Sequence, residues 1–263
     1  MQAAVSTACL FPKPTEDALY DLCLAGVQNV EIFLNSPSEA SPVYIQDLRE
    51  ICNRFGAACI AVHPWTAPSE GHMLFSAYTR RYTDFLEQAK HIFEATATLG
   101  AAISILHGAQ LGTCKNIAFY CERFAALAEL GKQFGITVTQ ENVHRYESQN
   151  LKFLKEFCRI LGDEAAITFD VKQAVRAGMN PMEAIQSIGK HIAHIHLSDH
   201  GPLGDCLRIG KGRFSVVPFF TQLHRIGYQG DITLELYREA FDSVQDLSED
   251  WQRINRLIAR SKP

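Results

Sequence analysis

The feature that most constrains this chain is an alternation running from one end to the other. Short apolar, β-branched runs are separated by longer stretches with helical spacing. The candidate strands lie at 3–9, 29–35 ("NVEIFLN"), 59–65 ("CIAVHPW"), 103–108 ("ISILHG"), 137–143 ("TVTQENV"), 165–171 ("AAITFDV"), 192–199 ("IAHIHLSD") and 231–237 ("DITLELY"), eight in all. Between them, 76–99 carries Phe85, Leu86, Ala89, Ile92 and Phe93 on one helical stripe, and 115–134 carries Ile117, Cys121, Phe124, Leu127 and Ala128. Gly26, Gly56, Gly135 and Gly227 each stand where a helix must end before the next strand. No linker or charge block interrupts the series. Eight βα units in 263 residues predict a single (β/α)8 TIM barrel spanning 1–263, with a doubly wound α/β sheet as the competing architecture.

Composition excludes several roles. A formal charge of −4 gives no global attraction to phosphate backbones or anionic lipid, so neither a nucleic-acid nor a membrane partner is expected. The first twenty residues lack a basic stretch followed by a long apolar one, and no run long enough to span a bilayer occurs, so a soluble cytoplasmic protein is expected. The eight cysteines form no Cys-x-x-Cys pair and read as small core residues rather than a disulfide or zinc framework.

In a barrel, side chains alternate between the interior and the helices, and reactive groups collect at the C-terminal strand ends. From the second strand onward nearly every end is polar: Glu31, His63, His107, Glu141, Asp170, His196 and Glu235. Thr139 shares a face with Glu141, Thr168 with Asp170, His194 with His196 and Thr233 with Glu235, while Phe169, Ile195 and Leu234 between them are apolar. A lone histidine or glutamate at a strand end is ordinarily a solvated or hydrogen-bonded residue. Several carboxylates converging in one barrel mouth are different, because they repel and are costly to desolvate unless a cation neutralises them. A divalent metal is the simplest remedy. The run "HIAHIHLSDH" at 191–200 then divides: His196 is the candidate ligand, His194 lies one layer deeper, and Asp199 orients either His196 or the following loop.

At these residues the chain resembles the xylose-isomerase-like barrel superfamily of sugar isomerases and epimerases, which also includes endonuclease IV. "TQENVHR" is similar to its fifth-strand glutamate segment, "ITFDVKQA" to the sixth-strand Asp-x-x-His segment, "HIHLSD" to the seventh-strand His-x-x-Asp segment and "ITLELY" to the eighth-strand glutamate. "RIGKGRFSVVPFFTQL" resembles the glycine loop and helix between the last two strands. The resemblance implies that Glu141, Asp170, His196 and Glu235 hold one divalent ion, and that Glu141 and Glu235 also exchange a substrate proton. Such a mixed oxygen and nitrogen donor set suits Mn²⁺ or Zn²⁺, with Co²⁺ or Fe²⁺ as alternatives. It further implies a small carbohydrate substrate, with Glu147 and Arg208 as contacts to its hydroxyl or phosphate groups. His63 and His107 face the same mouth and would touch substrate or a second metal; Phe33 and Trp65 would form an apolar wall. A homo-oligomer is compatible with all of this.

The chain departs from the family pattern at Gln173, where a histidine is usual; glutamine hydrogen-bonds a hydroxyl but is neither a general base nor a comparable ligand. The loop "HGPLGDCLRIGKG" offers no convincing second histidine for the three-zinc site of endonuclease IV. The expected activity is therefore proton transfer on a ketose through an enediolate, by an isomerase or epimerase. An inosose-type dehydratase and a phosphodiester hydrolase are the alternatives.

Overall fold

The computed structural model describes residues 1–261. Eight parallel strands close into a barrel: β1 (Ala3–Ser6), β2 (Asn29–Phe33), β3 (Ala58–His63), β4 (Ile103–Leu106), β5 (Thr137–Glu141), β6 (Ile167–Asp170), β7 (Ile192–Leu197) and, after a small hairpin, β10 (Ile232–Leu234). Each pairs with its neighbour in chain order, and β1 closes the ring against β10 with Val5 opposite Leu234. The doubly wound alternative is thereby ruled out. The helices between and after the strands are α1 (Thr15–Leu24), α2 (Pro42–Phe55), α3 (Ala67–Glu70), α4 (Thr79–Thr98), α5 (Ile117–Gln133), α6 (Leu151–Leu161), α7 (Val171–Arg176), α8 (Pro181–Ile188), α9 (Val216–Arg225) and α10 (Val244–Arg260). None is long and apolar enough to cross a membrane.

The two faces of the strands differ in chemistry as their alternation requires. Val138, Ile167, Phe169, Ile195, Leu197, Ile232 and Leu234 point outward and are buried beneath the helices. Each such side chain contributes roughly 1.5–3 kcal/mol by leaving water. The inward set is polar: Thr139 and Thr168 share a 2.6 Å hydroxyl contact, and Thr233 Oγ1 lies 3.0 Å from His194 Nε2. Tyr120 and Phe124 on α5 and Phe157 on α6 pack edge to face in the shell, which ties two neighbouring helices to β4 and β5. Asparagine caps repeat at Asn116, Asn150 and Asn180, whose side chains accept from the first helical N–H groups of α5, α6 and α8.

Three local features differ from the expectation. The seventh strand stops at Leu197, and Asp199 instead begins β8 (Asp199–Gly201), which pairs antiparallel with β9 (Gly204–Leu207). The last strand is only three residues long, so Glu235 sits just beyond it, at the barrel rim. The register shifts opposite Val30/Glu31 and opposite Ile167/Thr168, where Ile60 of β3 and Ala193 of β7 are the extra, unpaired residues.

Candidate active site

The deepest layer of the mouth is a carboxylate between two imidazoles. Glu31 Oε2 accepts from His194 Nε2 at 2.9 Å and from His196 Nε2 at 3.0 Å, and all three residues are sealed from solvent. Burial alone would raise the Glu31 carboxyl, but the imidazoles of His196 and His194 outweigh it and hold the group well below the usual carboxylate range. With His196 Nε2–H committed to Glu31, the opposite nitrogen, Nδ1, is presented toward the mouth. That is how a carboxylate behind a histidine selects the tautomer of a metal ligand. Glu31 therefore does for His196 what the sequence offered as one role of Asp199.

Above this layer the structure brings Glu141, Asp170, His196 and Glu235 together from four strand ends. Their nearest donor atoms lie within 4.8 Å of one another, and His196 Nδ1 is 3.2 Å from Glu141 Oε1, 3.8 Å from Asp170 Oδ2 and 3.7 Å from Glu235 Oε2. Donors sharing one divalent ion at ordinary bond lengths stand about 3–4 Å apart. Asp170 is held by its own backbone setting: Oδ1 caps α7 by accepting from Gln173 N–H at 2.9 Å, which leaves Oδ2 buried and without a hydrogen-bond partner. Glu141 Oε2 is likewise buried and has no aligned donor, although His107 Nε2 stands 2.9 Å away. Orphaned buried carboxylate oxygens and a presented imidazole nitrogen fit a divalent cation, which supplies the charge that desolvation has removed.

Electrostatics at this level are strongly biased. Burial raises Glu141 and Glu235, yet His107 brings the first well below its ordinary value, and Lys172 and His196 lower the second. Asp170 remains raised, because burial exceeds the attraction of Lys172. His196 is held well above the ordinary imidazole range, the carboxylates of Glu31 and Glu235 outweighing its burial. Among the four cage residues, Glu235 is the one with appreciable exposure, its side chain 14 % accessible, while the His107 side chain beside the cage is 21 % accessible. Solvent therefore reaches the cage past Glu235 and His107.

His63, His107 and Glu141 form a second cluster that shares Glu141 with the first. Phe33 stacks on the His63 ring at 4.6 Å, so it walls this side of the mouth. His107 is fixed from behind. Its carbonyl accepts from Gln140 Nε2 at 2.8 Å, Tyr120 Oη donates to Gln140 Oε1, and the N–H of the next residue, Gly108, donates to the buried carboxylate of Glu70. Gly108 has φ +93, and a Cβ there would lie 1.9 Å from the Tyr120 hydroxyl, so only glycine satisfies both the backbone and the packing.

Lys172 went unrecognised in the sequence. It is buried at the second position of α7, its ammonium 2.7 Å from Glu235 Oε2 and 3.6 Å from Asp170 Oδ2, with the Tyr237 ring centroid 4.7 Å away. Burial would lower it, but Glu235 and Asp170 hold it well above the ordinary lysine value. The available signal was a basic residue in the first turn of a helix, where the dipole disfavours it. Glu70 was also passed over, since it lies in α3, away from any strand end.

The remaining sequence candidates take other places. Glu147 Oε1 accepts from Gly112 N–H at 2.9 Å and closes the loop after β4, and Gln173 Oε1 accepts from His144 N–H at 3.1 Å, joining the loops after β5 and β6. Neither belongs to a ligand cluster among the described residues. Arg208, read as a substrate contact, is paired with acidic side chains of α10. Its guanidinium binds Asp246, Asp250 at 2.9 Å and Glu249 at 3.3 Å, because the segment leaving β9 folds back against α10. Asp199 is the keystone of that segment: its two oxygens accept from the N–H groups of His200, Gly210, Gly212 and Phe214 at 2.7–3.0 Å. Asp199→Ala should therefore lower unfolding stability in urea by about 2–4 kcal/mol, while a loss below about 0.5 kcal/mol would show that the loop holds without it.

The comparisons agree with this fold. The family described as "Xylose isomerase-like TIM barrel" matches residues 23–257. The uncharacterized protein MJ1311 of Methanocaldococcus jannaschii is 24% identical over all of this chain and 93% of its own length. Among solved structures, a D-tagatose 3-epimerase-like protein superposes with a TM-score of 0.80 at 20% identity, over 99% of this chain and 98% of that one. The D-allulose 3-epimerase of Methylomonas sp. gives 0.80 at 15% identity, over 97% and 96% of the two chains. The 3-keto-D-glucoside 4-epimerase YcjR of E. coli gives 0.76 at 16% identity, over 97% and 99%. With the closed eight-stranded barrel and a family match across most of its length, the chain belongs to the xylose isomerase-like TIM barrel family.

Proposed function

We propose that this chain is a divalent-metal-dependent isomerase or epimerase of a ketose or related keto-polyol. The observation that carries the reading is the buried cage of Glu141, Asp170, His196 and Glu235, in which two glutamates from non-adjacent strands face one another's neighbourhood at an open mouth. Epimerases among the superposable structures support the same class.

A divalent ion in the cage would polarise neighbouring oxygens of a bound hydroxyketone and make the intervening C–H more acidic. The chain supplies the rest. Glu141 and Glu235 are both ionised by their cationic neighbours, so either can accept the carbon-bound proton; a carboxyl that has first taken a proton from solvent returns one to the carbon, and the accepting carboxyl releases its own to solvent. Their depressed carboxyls keep them in the base form at neutral pH. His107, raised by Glu141 beside it, is placed to donate a hydrogen bond to a substrate oxygen at the mouth. The test is a screen in D₂O with Mn²⁺-loaded protein against ketohexoses, hydroxypyruvate and inososes. Incorporation of deuterium next to the carbonyl supports the reading, and a UV-absorbing enone product would assign a dehydratase instead.

One observation favours a second reading. The cluster of His63, His107 and Glu141 shares a carboxylate with the first, which sets two candidate ion sites side by side as in two-metal hydrolytic catalysis. A phosphodiester hydrolase would fill both clusters, so two or more bound ions per chain would favour it over the isomerase.

A further inference from the structure

Lys172 is an anomaly by every local criterion. It is a lysine within the first turn of α7, close to the positive end of the helix dipole, and it is almost fully buried. Its ammonium is not spent on a surface pair. It points at Glu235 Oε2 and Asp170 Oδ2, the two oxygens that also stand 3.7 and 3.8 Å from His196 Nδ1. The acidic centre contains Glu31, Glu141, Asp170 and Glu235; imidazoles face Glu31 and Glu141, and among the described residues Lys172 is the one lysine or arginine paired with any of the four carboxylates. The Tyr237 ring accompanies this lysine, with its centroid 4.7 Å from Lys172 Nζ and 5.0 Å from the Arg176 guanidinium.

We infer that Lys172 is a built-in counter-ion of this centre, which keeps Asp170 and Glu235 converged in the absence of a divalent ion and lowers the centre's affinity for one. The inference rests on the metal-binding reading proposed above. Two consequences of one charge follow, and they have opposite signs. Without metal, the ammonium offsets repulsion between carboxylates that have lost their water, so removing it weakens the protein. With metal, the same ammonium repels the incoming ion across a few ångströms of low-dielectric interior, so removing it strengthens binding. A lysine with a merely structural role would produce the first effect and not the second.

The experiment is calorimetric titration of Mn²⁺ alone into metal-stripped wild-type, Lys172→Met and Lys172→Gln proteins, with thermal melts of each in EDTA and in saturating Mn²⁺. Lys172→Met removes the charge at similar length. Lys172→Gln keeps a donor for Glu235 and guards against a variant that fails to fold. Both variants are expected to bind Mn²⁺ about tenfold more tightly or better, to melt below wild type in EDTA and to recover most of that deficit in Mn²⁺. Unchanged or weaker Mn²⁺ binding in a folded variant would overturn the inference while leaving the metal reading intact. Absence of Mn²⁺ binding in wild type and variants alike would instead overturn the metal reading, and the inference with it.

Discussion

Glu235→Gln is expected to slow exchange of a ketose's α-hydrogen with D₂O by about 10²–10⁴-fold while leaving the bound metal in place. Glutamine keeps a side-chain oxygen where Glu235 has one, so the cage retains its fourth donor, but the amide cannot accept a proton. Lys172, 2.7 Å from Glu235 Oε2, retains an acceptor as well, which limits collateral loss of stability. Glu141→Gln should behave similarly and add a loss of substrate affinity, because His107 and His63 both lean on Glu141 Oε2. NMR of the exchanging carbon-bound hydrogen reads the effect directly. Full exchange in Glu235→Gln would remove this residue from the proton-transfer role.

Glu31→Ala should be the most damaging single change to stability. Glu31 is completely buried and is the acceptor for both His194 and His196, so truncating it leaves two imidazoles in the barrel floor without their carboxylate. Removing one partner of a buried ionic group costs about 3–5 kcal/mol. The carboxyl is held well below its ordinary range, so its contribution is fully present above that range and fades only as the pH falls toward the depressed value. Urea unfolding at pH 7 is therefore the appropriate condition. Loss of the carboxylate behind His196 should also weaken metal binding by about 10–100-fold. A stability loss under about 1 kcal/mol would show that water or Thr233 satisfies the histidines instead.

Much of this molecule was legible before its structure. Helical and strand periodicities stated the eightfold repeat, and the same parity that hid Phe169, Ile195 and Leu234 under the helices placed Thr139, Thr168 and His194 inside. Polar residues at strand ends stood out because a strand end is the one place where a period-two pattern should relax. What escaped was set by contacts that no short pattern encodes. Lys172 reads as an ordinary surface lysine on a short helix until β10 brings Glu235 to it from 63 residues away. Arg208 resembled a substrate contact because of its place before the glycine loop, but the antiparallel turn of β8 and β9 carries it round to α10. Asp199 could have served His196 or the loop. The hairpin it begins decides the matter by directing four backbone N–H groups at its oxygens.

The central claim is that four side chains from four strands form one divalent-metal site. Equilibrium dialysis against Mn²⁺ with metal analysis of the retained protein tests it most directly, using wild type beside His196→Ala and Asp170→Asn. The account predicts one Mn²⁺ per chain in wild type and a loss of binding in both variants, with the barrel still folded by circular dichroism. Retention of Mn²⁺ by folded His196→Ala at wild-type stoichiometry, or no binding by wild type at all, would contradict it.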